Sequence, residues 1–235
     1  MATIRTDAVP RRPESPWPLH LVIGLAATAA LVTVLYCYVD DPVISFFRSH
    51  QLDRFRLLKW LTRPPEAFVL LSPFVLLAGL VRRWFAPWTW AERVAVAAAV
   101  STLLTALAVL LLKIAFGRSA DGFHPFHFGA AYWAFPSGHT ACTLSATVVL
   151  QAGFPTWRPV GRALAAVVAA LLVVLTFHFV GDVVGGAFVG WAIGGTVARR
   201  FGIDPSAIDA ASEDDADGTV KEDVLLLSAE VDGAR

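Results

Sequence analysis

Apolar and charged positions separate into long blocks along this chain. No charge interrupts Leu21–Val39 or Val94–Leu112, and at 1.5 Å per residue each run reaches across about 30 Å of hydrocarbon. Shorter uncharged runs lie at Ala67–Val81, Thr140–Phe154, Ala163–Phe177 and Val183–Ala198. Together they predict six membrane spans. The first run ends in Leu35-Tyr36-Cys37-Tyr38-Val39 with no small-residue cleavage signal, so it is expected to be retained as a span. Pro73 predicts a kink in the second span, Arg82-Arg83 stop it, and Trp84, Trp88 and Trp90 form an expected interfacial belt. Residues 42–62 mix Phe46, Phe47, Leu58 and Leu61 with Arg48, His50, Arg54, Arg56 and Lys59, the pattern of an amphipathic helix lying in the interface. Gly186, Gly190 and Gly194 recur every fourth residue in the last span, a face for close helix packing.

The predicted fold is all-α: a polytopic six-transmembrane-helix bundle with an interfacial amphipathic helix. Residues 1–18 are expected to form a disordered cytoplasmic N-terminus, 19–202 the six-span domain, and 203–235 an acidic disordered tail. The 235 residues are 56% hydrophobic, above the roughly 45–50% of soluble domains. Charges balance at 19 against 19, so no field favours nucleic acid as a partner. Cys37 and Cys142 both lie in apolar runs and read as buried free thiols.

Six spans put both termini on one side. Parity then gathers Lys113, Arg118, His139, His178 and Asp182 on the other. Basic residues near the spans number ten on the terminal side and seven opposite, which predicts cytoplasmic termini and a cluster facing the periplasm or exterior of a multi-pass inner (plasma) membrane protein. Within the cluster, Lys113 ends a long apolar run, where a charge is a functional candidate. Arg118 could grip a phosphate with its planar fork. Pro136-Ser137-Gly138-His139 turns a loop into a helix start whose free amides suit an anion. His178 and Asp182, four apart, could pair so that one ring nitrogen stays basic.

These pieces resemble the type 2 phosphatidic acid phosphatase family, related to bacterial acid phosphatases and vanadium haloperoxidases. Its first block matches from Lys113 to Arg118, its second at Pro136, Ser137, Gly138 and His139, and its third at His178 and Asp182. The resemblance implies a metal-independent lipid phosphatase without a cofactor, acting on a phosphomonoester or diphosphate of a membrane lipid. His178 would be the nucleophile, Asp182 its orienting partner and His139 the acid and base. Lys113, Arg118, Ser137 and Gly138 would hold phosphate. The chain departs from the family at Ala120 and Leu172, where arginines are usual, so Arg118 is expected to carry an unusually large share of phosphate binding.

Two other readings stand beside this one. Asp121, His124 and His127 could supply ligands for a metal-dependent membrane hydrolase. Alternatively, loss of two cations could leave a catalytically impaired protein that only binds phospholipid. Polyprenyl diphosphate, phosphatidate-type lipids and lipid A phosphate all fit the expected chemistry, and the aromatic run from Gly122 to Phe128 would line their way in.

Overall fold

The structure, a computed structural model, describes residues 16–50, 56–127 and 129–203. The lead before residue 16 and the tail from residue 204 lie outside them, as do residues 51–55 of the expected interfacial helix and Phe128. The described residues form eight α-helices in order: α1 (Trp17–Tyr38), α2 (Asp40–His50), α3 (Arg56–Trp60), α4 (Pro64–Phe85), α5 (Trp90–Phe116), α6 (Gly138–Gly153), α7 (Arg158–Val174) and α8 (Val180–Arg200). Each of the six expected spans falls within or nearly within one long helix. The expected interfacial segment corresponds to α2 and α3. Pro64 and Pro65 open α4, where missing amide protons are tolerated. The helix runs on through Pro73.

Among the described residues, five stretches are long and apolar enough to cross a bilayer, and they contain α1, α4, α5, α7 and α8. The sixth helix, α6, has 16 residues and packs against α4, α5, α7 and α8. Its central place explains both its shortness and its Ser/Thr content. Ser145 bonds to Ser101 and accepts from Thr105 at 2.8 Å, so its buried hydroxyl is satisfied within the bundle. The outer helices show the opposite pattern. Leu19, Val22 and Leu25 on α1 and Leu70, Phe74 and Leu77 on α4 are exposed, an apolar surface of the kind that marks contact with lipid. Cys37 is exposed on α1 instead of buried, because α1 turns most of its surface outward; Cys142 is buried.

The glycine face of α8 meets the backbone of α6. A methyl at Gly186 would stand 2.4 Å from the Ser137 carbonyl oxygen, and one at Gly190 would stand 2.3 Å from that of Ala141. Only hydrogen fits there. At the end opposite the polar cluster, Val94, Ala97, Val149, Val197 and Ile203 form a core, so burial reaches one residue into the expected tail. Trp17, placed by expectation in the N-terminal lead, instead begins α1, and its indole donates to Thr196 at 3.1 Å. Of the expected belt, Trp84 is exposed, while Trp88 and Trp90 donate to the Gly79 and Gly153 carbonyls.

Candidate active site

Helix α5 ends at Gly117, which adopts φ +55° as a left-handed cap. A side chain there would collide with the His124 carbonyl at 1.8 Å, so glycine is required. The chain then makes a short hairpin of β1 (Arg118–Ser119) and β2 (Gly122–Phe123), and Arg118 also forms a parallel bridge with Trp133. The Ser119 hydroxyl donates to Asp121 and holds its exposed carboxyl below the usual range. The loop returns to α6 through Ser137, whose side chain caps the helix by accepting from the Thr140 amide at 3.4 Å. The Ser137 amide donates to the Asp182 carbonyl at 3.0 Å, which ties the start of α6 to the start of α8.

The structure brings four expected residues around one cavity. Lys113, Gly138, His139 and His178 line a space of about 660 Å³ whose other walls include Leu70 of α4 and Leu110 of α5. The His139 and His178 ring centroids are 6.5 Å apart, with the rings tilted by 57°. Lys113 Nζ donates to the Trp133 carbonyl. His178 Nδ1 lies 3.6 Å from Asp182 Oδ2, longer than a hydrogen bond, and is buried without a hydrogen-bond partner. Asp182 Oδ2 accepts from the Phe179 amide at 2.9 Å, so the carboxylate also caps α8.

Arg118 departs from expectation. It is buried, Nη1 donating to Asp182 at 2.7 Å and Nη2 to Asp40 at 2.6 Å. Asp40 also accepts from the Gly181 amide at 3.0 Å, and Tyr36, Phe123 and Phe179 pack around the guanidinium. Both terminal nitrogens are therefore engaged by carboxylates, and Arg118 is not among the residues around the 660 Å³ cavity. Ser137 also lies outside that lining, fully buried at its cap. Leu172, where the resemblance leads one to look for arginine, packs in a core with Val168 and Val183. Its carbonyl accepts from the Phe177 and His178 amides and so shapes the turn that presents His178.

Two acidic residues that no local pattern singles out lie beside the expected ones. Asp40 completes the Arg118 clamp. Glu66, in the first turn of α4, places Oε1 3.7 Å from His139 Nε2. Their signal was an acid at each end of an apolar run, which reads equally well as an interfacial charge. The loop histidines form an aromatic cluster with Tyr132, with His124 and His127 rings 5.7 Å apart. Among the described residues, no three His, Cys, Asp or Glu side chains converge as metal ligands. Phe123 packs inward on Tyr36, Phe116 and Phe135, whereas Phe126 is exposed.

Among solved structures, the chain is similar to the first transmembrane PAP2-type phosphatidylglycerolphosphate phosphatase from Bacillus subtilis. The identity is 20% and the TM-score 0.43, with 78% of this chain and 94% of that one covered. Comparison with curated proteins gives no match. The family model of the PAP2 superfamily matches residues 94–202. The apolar helices make this a multi-pass membrane protein, and the stretch that is similar to the PAP2 superfamily, which runs from α5 past α8, holds Lys113, His139, His178 and Asp182.

Proposed function

We propose that this membrane phosphatase hydrolyses a phosphomonoester or diphosphate carried by a membrane lipid, through a phosphohistidine on His178. The observation that carries the reading is the pair of histidines that line one apolar cavity together with Lys113, their rings 6.5 Å apart. His178 Nε2 attacks phosphorus while the bond to the lipid oxygen breaks. His139 gives that oxygen its proton, then takes one from the water that cleaves the N–P bond and releases inorganic phosphate. Lys113 and the Gly138 amide at the start of α6 hold the phosphoryl oxygens. Asp182 orients the His178 ring, and Arg118 fixes Asp182 through its ion pair. The exposed Leu70 of α4 and Leu110 of α5 at the cavity wall suit a substrate whose tail stays in the bilayer.

The direct test is phosphate release by purified protein from a panel of phosphatidate-type lipid, polyprenyl diphosphate and lipid A phosphate, with and without EDTA. We expect release from at least one lipid, undiminished by EDTA, and little effect of replacing His124 and His127 together by Ala. Loss in EDTA that zinc restores would instead favour the metal-dependent reading.

The orientation belongs to the same proposal, since ten basic residues flank the spans on the terminal side against seven on the site side. A reporter fused after Arg200 should read cytoplasmic and one inserted at Asp121 external. The reverse pattern would place the site on the cytoplasmic face of the membrane.

A further inference from the structure

The charges already placed around His178 do not favour an anion. Arg118 is shared between Asp40 and Asp182, Glu66 stands beside His139, and Lys113 is the one further cation lining the larger cavity. Taken together these groups carry net negative charge, whereas phosphoryl transfer requires positive charge held at the phosphoryl oxygens.

A second cavity of about 240 Å³ reaches His178 from another side. Ile44, Arg48, Ala120, Trp133, Thr176 and His178 line it. Arg48 lies in the last turn of α2 and has no carboxylate partner among the described residues. Ile44, one turn earlier, is buried. Residues four apart share a helix face, so the contact that seats Ile44 also sets Arg48 toward the cavity. Ala120 lines the same cavity, where its small side chain leaves room for a guanidinium. Asp41, the nearest acid on α2 besides Asp40, lines a different cavity next to Arg118.

We propose that Arg48 is a phosphate-binding residue of this site, supplied by α2 and donating to the phosphoryl group held at His178. Its planar fork can engage two phosphoryl oxygens at once, which a lysine cannot do. This assignment rests on the phosphatase reading above and adds a residue outside the matched stretch 94–202.

The test uses full-length protein with lipid substrate, and orthovanadate as a tetrahedral phosphate analogue. Arg48→Ala should raise KM and weaken vanadate inhibition by about tenfold to a hundredfold, the range for one charged hydrogen-bonding group. Arg48→Lys should fall between, and thermal unfolding should be unchanged. Ala120→Arg in the Arg48→Ala background, which returns a guanidinium to the same cavity, should recover much of the loss. An active wild type whose KM and vanadate inhibition are untouched by Arg48→Ala would overturn the assignment and leave the phosphatase reading intact. A wild type inactive on every lipid would overturn the phosphatase reading. Calorimetric vanadate binding then still decides for Arg48: weaker binding by Arg48→Ala supports the anion site, and equal or absent binding in both proteins removes it.

Discussion

His178→Ala protein should form no phosphoenzyme with any lipid phosphate, because the atom that would bond to phosphorus is gone. His139→Ala should behave differently. It keeps the nucleophile 6.5 Å away, ring to ring, and loses only proton transfer, worth about 10²–10⁴-fold. A nitrophenyl phosphate, whose leaving group needs little protonation, should therefore still label His178 in the His139→Ala protein. Glu66→Gln should give a small effect, since that carboxylate touches His139 from an exposed position. Radiolabelled phosphate trapped by an acid-free quench reads all three. Label persisting on the His178→Ala protein would remove the covalent step, and an active wild type that never labels would indicate direct attack by water.

The second large effect concerns the buried clamp. The Arg118, Asp40 and Asp182 side chains are 2%, 1% and 0% exposed. Removing one member of such a group strands the others away from water, a loss of roughly 3–5 kcal/mol. Arg118→Ala leaves two carboxylates facing each other, and Asp40→Ala frees both a guanidinium nitrogen and the Gly181 amide. Both variants should unfold at clearly lower temperature in detergent. Turnover should fall with the thermal midpoint while vanadate affinity of the surviving folded protein changes little. A stable Arg118→Ala protein that loses only phosphate affinity would return Arg118 to the role of phosphate ligand.

The spans were legible because long uncharged runs have few other uses, and parity alone assembled Lys113, His139, His178 and Asp182 at one end. Arg118 was legible as important but not for its partner: an arginine beside a helix end looks the same whether it meets phosphate or carboxylate. Its two acids lie 78 and 64 residues away in sequence, beyond the reach of any local pattern. Asp40 and Glu66 flank apolar runs, where a charge at the interface is ordinary, and they join the site only because α1 ends and α4 begins beside it. The absent cation at Leu172 is intelligible only in three dimensions, as a core leucine under the His178 turn. The shortness of α6 likewise becomes intelligible once its neighbours are in place around it.

Where α6 and α8 touch through backbone, bilayer thickness has little purchase on the site. A membrane thicker or thinner than the bundle is accommodated by tilt of the helices that face lipid, here α1, α4 and α7. The pair that holds His139 and Asp182 is locked at Gly186 and Gly190, where neither sliding nor spreading is possible without losing the close approach. The spacing of His139 and Asp182 is thereby insulated from hydrophobic mismatch, while the wall formed by α4 is free to follow it.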